Sequence, residues 1–189
     1  MKQARVLTDA ELKRVLAVAT AGRHAARNRQ ALLLSHLAGL RVGEIAALTI
    51  GDVLNGQGEV RDQIRLNPVY TKGGVSRTIF LNQRLQREVA RYVRGLSDVT
   101  RPHEPLLRSQ KGRAFSANSL CQLFAHLYRR AGIDGASSHS GRRGFITKLA
   151  HAGISPKVIM ELAGHKPLGT TQRYIEVNDA MKRAAVERL

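Results

Sequence analysis

Ser138-His139-Ser140-Gly141-Arg142-Arg143, read with Gly164-His165 and Thr171-Gln172-Arg173-Tyr174, is the stretch on which this chain turns. It places imidazoles, guanidinium groups and one phenol in segments that also carry helical apolar periodicity. An apolar core has little use for that mixture. A site that holds a phosphate and attacks it with a tyrosine uses all of it. His139 precedes Arg142 by one helical turn, so both side chains address one point. His165 follows a helix-ending glycine, where a side chain projects into a cleft.

Working outward, Arg41 lies in Gly39-Leu40-Arg41-Val42-Gly43-Glu44, between a glycine-terminated helix and a short new one. Arg offers a rigid fork that matches two phosphate oxygens and stays charged at any working pH. Arg41 and Arg142 converging on one phosphate would stabilise a five-coordinate transition state. His139 or His165 can accept a proton or donate to a phosphoryl oxygen. The Tyr174 phenol, with a reference pKa of about 10, needs such a basic, electropositive pocket to act as a nucleophile. Lys72, at a Gly-Gly turn, can protonate a departing 5′-oxygen. Glu44, one turn after Arg41, is read as orienting a basic side chain and not as a metal ligand. Each residue alone also fits a plainer reading: a solvated arginine, a surface histidine, a core tyrosine, a turn lysine. His24, His36, His103, His126 and His151 lack such company and default to structural roles.

Local patterns predict a mainly α chain with a small antiparallel sheet of about three strands. Thr8-Asp9-Ala10-Glu11 is a capping box that opens a helix near Asp9. Helices are expected from about His24 to Ala38 (Ala31, Leu34 and Leu37 inward), Leu40 to Leu48, Leu85 to Val93 and Ser116 to Ala131. Further ones run from Gly141 to Ala152, from Ser155-Pro156 to Gly164, and from about Asp179 to Leu189. From Thr49 to Leu81 the pattern changes: Gly51, Gly56 and Gly58 mark turns, Ile64-Arg65-Leu66 and Val75 to Leu81 alternate as half-buried strands do, and Lys72-Gly73-Gly74 sits between them as the hairpin turn. Lys166 to Thr170 is expected as a turn.

Thirty-one Lys and Arg against fourteen Asp and Glu give a formal net charge of +17. The excess is spread through the folded segments, so it becomes a surface suited to phosphate backbones. Lys111, Arg113, Arg129, Arg130 and Arg143 are the expected DNA contacts, fixing register more than reading bases. Trp is absent and aromatics are 4%, which leaves Leu, Ala, Val and Ile to build the core and counts against an RNA-binding module that stacks bases. No apolar run reaches the roughly 18–20 residues of a membrane span, and no signal peptide opens the chain. The single Cys121 cannot form an internal disulfide, which suits a reducing cytoplasm, and neither carboxylates nor Cys/His spacing makes a metal pattern.

These motifs in this order resemble the catalytic domain of the tyrosine recombinases, the phage-integrase family. Gly39 to Glu44 is similar to the family's first arginine motif, Thr71-Lys72-Gly73-Gly74 to its hairpin lysine, and His139-Ser140-Gly141-Arg142 to its His-x-x-Arg motif. Leu162-Ala163-Gly164-His165-Lys166 is similar to its Leu-Gly-His segment, and Tyr174 stands at the nucleophile. Gly141 and Arg143 depart from the leucine and histidine many members carry, and Ala163 from a commoner small or polar residue. The resemblance implies a type IB topoisomerase-like fold over residues 1–189, with Arg41, Lys72, His139, Arg142, His165 and Tyr174 catalytic. It implies strand exchange through a 3′-phosphotyrosyl intermediate with no metal, ATP or other cofactor, as in mobile genetic elements. The expected partner is double-stranded DNA, bound by a homo-tetramer that is a monomer or weak oligomer when free, in the cytoplasm with the nucleoid. The last helix, about 179–189, either docks on a neighbouring protomer through Ala180, Met181, Ala184, Ala185 and Leu189 or folds back on its own domain. The N-terminal clamp domain usual in the family is expected to be absent, in a naturally short member or a fragment. The competing readings are a catalytically silent DNA-binding regulator with the same fold and a relaxing topoisomerase without a specific site.

Overall fold

The computed structural model describes residues 4–70, 76–96, 101–165, 167–172, 174 and 179–187. The Lys72 turn lies outside them. Helix α1 (Asp9–Thr20) opens as its capping box dictates: Thr8 Oγ1 accepts from the Glu11 N–H at 3.2 Å, and the Thr8 N–H donates to Glu11 Oε2 at 2.9 Å. Helix α2 (Ala25–Ala38) is the central rod. Its periodicity predicts one apolar face, yet consecutive Leu32, Leu33 and Leu34 are all fully buried, because neighbouring elements cover it on several sides. Gly39, left-handed at φ 63°, ends it.

Helix α3 (Val42–Ala47) follows, with Arg41 extended at its N-cap. The region from Thr49 to Leu81, expected to hold the sheet, opens with one helical turn, α4 (Ile50–Val53), capped by Asp52 Oδ2, which accepts from the Thr49 N–H at 2.8 Å. Strands β1 (Gln63–Leu66) and β2 (Arg77–Phe80) then pair antiparallel, with Ile64 opposite Ile79 and Leu66 opposite Arg77. Among the described residues the sheet has two strands, not three. The third candidate shrinks to a Leu54–Val60 bridge around the Gly56 and Gly58 turn, since α4 occupies the residues that would have extended it.

Asn82 Oδ1 caps α5 (Gln83–Arg94), which buries Leu85, Val89, Tyr92 and Val93. Ser116 caps α6 (Ala117–Arg130), which buries Leu120, Phe124, Leu127 and Tyr128. These elements share one core with α1, α2, α3 and the sheet.

Helices α7 (Ser140–His151) and α8 (Pro156–Ala163) carry a smaller second core of Ile146, Ala150, Ile159 and Ala163, against which Phe145, Leu149 and Tyr174 pack. Helix α7 crosses α2 at Gly141, where an added Cβ would lie 2.4 Å from Ser35 Oγ. Residues expected as a turn after Gly164 form α9 (Leu168–Gln172), and α10 (Asp179–Val186) follows. Among the described residues no helix is long and apolar enough to cross a membrane.

Candidate active site

The site is organised around the C-terminal end of α8. A helix leaves its last carbonyls without intrahelical partners, and three successive ones here each accept from a different arginine. Leu162 O accepts from Arg77 Nη1 at 2.6 Å, Ala163 O from Arg142 Nη2, and Gly164 O from Arg41 Nη2 at 3.2 Å. The negative end of the helix dipole favours cations there. Arg142 Nη1 also donates to Gly39 O at 2.7 Å, so one guanidinium joins the ends of α2 and α8 across the seam between the two cores.

Both helices stop at left-handed glycines, and neither glycine has room for a side chain. A Cβ at Gly39 would lie 2.4 Å from Phe145 Cδ1, and one at Gly164 2.5 Å from Arg77 Cδ. The left-handed Gly164 also turns the chain so that His165 leaves the helix axis while its N–H still reaches Met160 O at 3.0 Å.

Glu44, 1% exposed, is the carboxylate of the cluster. Its Oε1 accepts from Arg41 Nη1 at 2.7 Å, and its Oε2 from Arg77 Nη2 at 2.6 Å and from the Arg41 N–H at 2.8 Å. Burial pushes this carboxyl up, but the Arg77 and Arg41 charges and the Arg41 N–H overcome that and hold it below the usual range. Three guanidiniums therefore face one carboxylate, and positive charge is left over. Burial, then the charges of Arg41 and Arg77, pull Arg142 down to about 9. A guanidinium so costly to keep charged is relieved by an incoming anion.

His165 is pulled down to about 4, by burial first and then by Arg142, Arg41 and Arg77, so its ring is neutral near pH 7. Its Nδ1 is 2.9 Å from Thr171 Oγ1, a hydroxyl that is itself fully buried, which leaves Nε2 for other chemistry. The imidazole stacks on the half-buried Tyr174 ring. On Tyr174, the Arg143 guanidinium carbon lies 5.5 Å from the ring centroid. Arg142 is near enough to feel the charge of a Tyr174 phenolate.

The residues singled out in the sequence thus divide. Arg41, Glu44, Arg142, His165 and Tyr174 come together. His139 is exposed at the N-cap of α7, and among the described residues its ring makes no hydrogen bond to the others. Lys111 and Arg113 are exposed on a turn closed by the Ser109 N–H to Arg113 O bond at 2.7 Å, and Arg129 and Arg130 are exposed in the last turn of α6. Arg143 is half-buried and donates to Ala4 O at 2.7 Å, which turns it toward Tyr174 and away from the open surface. Sequence reasoning missed two residues, Thr171 and Arg77. The signal for Arg77 was present: it is in phase with the buried Ile79 on β2, where an outward-facing charge would not be. Among the described residues no three His, Cys, Asp or Glu side chains stand where they would hold a metal ion.

A mainly helical domain of this build is the architecture of tyrosine-recombinase catalytic domains, as solved structures bear out. The chain superimposes over its full length on 64% of the XerA recombinase crystal structure (TM-score 0.75, 23% identity). It also superimposes on 66% of the Tn1549 transposon integrase in complex with transposon right end DNA (TM-score 0.79, 19% identity). The chain belongs to the phage integrase family, whose model matches residues 5–181. Among curated relatives it is 32% identical over 186 residues to tyrosine recombinase XerA of Pyrococcus furiosus, an alignment covering 96% of this chain and 60% of the relative. It is 33% identical over 158 residues to tyrosine recombinase XerD of Pseudomonas putida, covering 82% and 51% respectively. The chain therefore spans about half to three fifths of these relatives' length.

Proposed function

We propose that this chain is the catalytic domain of a site-specific DNA recombinase that cuts and rejoins duplex DNA through Tyr174. The observation that carries this reading is the surplus positive charge of Arg41, Arg77 and Arg142 over Glu44, set beside a tyrosine and a neutral histidine. Arg41 and Arg142 grip the non-bridging oxygens of the scissile phosphate and stabilise the added charge of the five-coordinate transition state. Tyr174 Oη bonds to phosphorus as the bond to the 5′-oxygen breaks, leaving a 3′-phosphotyrosyl link. The phenol proton passes to a neutral imidazole, and Lys72 protonates the departing 5′-oxygen. His139 and His165 hydrogen-bond the phosphoryl group, and Glu44 orients Arg41. The 5′-hydroxyl of a partner strand then attacks the phosphotyrosine, and the protons return by the same path. One phosphodiester bond replaces another, so the exchange needs no ATP.

Exposed Lys111, Arg113, Arg129 and Arg130 contact the phosphate backbone, and strand exchange between two duplexes calls for a tetramer on DNA. The test is a nicked suicide duplex from the gene's own neighbourhood, incubated with wild type and Tyr174→Phe. A covalent adduct in the wild type alone supports the reading. Salt-sensitive binding with no adduct would favour the silent regulator, and adducts scattered over random DNA a relaxing topoisomerase.

A further inference from the structure

Arg77 holds a strand position that the pattern of its own sheet would give to an apolar residue. It faces the same side as the buried Ile79 and stands opposite the buried Leu66. Its side chain is 10% exposed, and its Nε is buried with no hydrogen-bond partner among the described residues. A buried guanidinium with one donor unsatisfied stabilises a core less well than an aliphatic side chain of similar volume. The position is explained by what the two ends of the fork touch. Nη2 meets Glu44 Oε2 at 2.6 Å, and Nη1 meets Leu162 O at 2.6 Å. Glu44 in turn holds Arg41 through both its side chain and its N–H. Leu162 begins the run of carbonyls that ends at Gly164, after which His165 departs. The packing is tight here as well, since Gly164 is held as glycine by the Arg77 Cδ beneath it.

We propose that Arg77 is a positioning residue for the cleavage reaction, fixing Arg41 through Glu44 and the end of α8, hence His165, through the Leu162 carbonyl. It acts through these neighbours and does not touch the phosphate. The inference rests on the recombinase reading of the site.

The test uses the whole chain with Arg77→Lys, Arg77→Met and the double variant Glu44→Gln/Arg77→Met, the last removing both buried charges so that neither is stranded. On the suicide duplex, Arg77→Met should keep DNA affinity within about threefold while the cleavage rate falls roughly 10–100-fold. Arg77→Lys should recover part of that rate. The double variant should regain melting temperature but not rate. Ring-to-ring NOE contacts between His165 and Tyr174 separate positioning from mere support: Arg77→Met should weaken them and Arg77→Lys should keep them.

Unchanged cleavage in Arg77→Met overturns the proposal, as does a double variant that regains rate together with stability. If the wild type forms no adduct, the recombinase reading is what fails. The contacts between the His165 and Tyr174 rings then decide for Arg77 by themselves, unchanged contacts counting against positioning and weakened ones for it.

Discussion

The His165 imidazole and the Tyr174 ring lie nearly parallel, with centroids 6.0 Å apart and planes inclined by 22°. The histidine is fixed from its other side by Thr171, so the placing of a neutral imidazole beside the phenol depends on one buried hydroxyl. Thr171→Val keeps the shape and removes the bond. Its cleavage rate should fall about 10–100-fold, the usual effect of losing a hydrogen bond that orients a histidine, while DNA affinity stays put. Parallel gel-shift and suicide-substrate measurements check it.

Gly164 and Gly132 offer a matched pair. Both are left-handed, at φ 61° and φ 63°, but a Cβ at Gly132 meets nothing within 4 Å whereas one at Gly164 runs into Arg77. Gly132→Ala should cost about 1 kcal/mol of backbone strain and leave cleavage intact. Gly164→Ala should lower stability further and also slow cleavage, because Arg77 must move. Urea denaturation beside single-turnover cleavage distinguishes the two.

At Gly141 the limit is the α2–α7 crossing itself. Gly141→Leu should destabilise the domain by about 3 kcal/mol or more, because the added Cβ meets Ser35 Oγ at 2.4 Å and, at 2.9 Å each, His36 Cδ2 and Ser35 Cβ, the last of which moves only with α2 itself. The pair Gly141→Ala with Ser35→Gly should recover most of the loss of Gly141→Ala alone, read as melting temperatures in a double-mutant cycle.

Much of this architecture is written locally. Thr8 with Glu11, Asn82, Ser116, Ser155 before Pro156, and the stops at Gly39 and Gly164 are chemistry between near neighbours, and each falls where the residues place it. What a local reading misses is set by distant partners. Leu34 reads as part of one inward face, whereas the burial of Leu32 and Leu33 follows only from the packing of α1, α3, α5 and α7 around α2. Arg77 meets its carboxylate 33 residues away and its carbonyl 85 residues away, beyond the reach of any periodicity. The third strand is missing among the described residues for the opposite reason: a local capping pair, Thr49 and Asp52, holds a helical turn at the start of the region expected to form the sheet.

Acid should loosen the fold. Burial first, with Lys148 next, pulls His36 down to about 4, and His165 is pulled to a similar value. Both rings have folded values below the unfolded 6.5, so between roughly pH 6.5 and 4 the unfolded chain binds more protons and stability falls as pH falls. Urea midpoints should be flat from pH 8 to 7 and drop from pH 6 to 4.5. His36→Gln should show a shallower drop over that window.

Salt should set affinity for random duplex. Each phosphate neutralised contributes about 0.9 to the slope of log K against log salt. The quadruple variant Lys111→Gln, Arg113→Gln, Arg129→Gln, Arg130→Gln should therefore flatten the slope by about 3 to 4. A slope unchanged within error would place the DNA on another face.

The three carbonyls of Leu162, Ala163 and Gly164 collect arginines from residues 41, 77 and 142, encoded early, midway and late in the chain. During synthesis the N-terminal parts emerge first. A ribosome-bound chain therefore holds the first arginine and its glutamate long before it has the helix end that aligns them, and Tyr174 emerges later still. The cluster of arginines is therefore completed only once nearly the whole frame is present. Nascent chains stalled short of residue 162 should accordingly bind DNA without protecting Glu44 and Arg77 from solvent exchange, and chains released beyond Tyr174 should protect both.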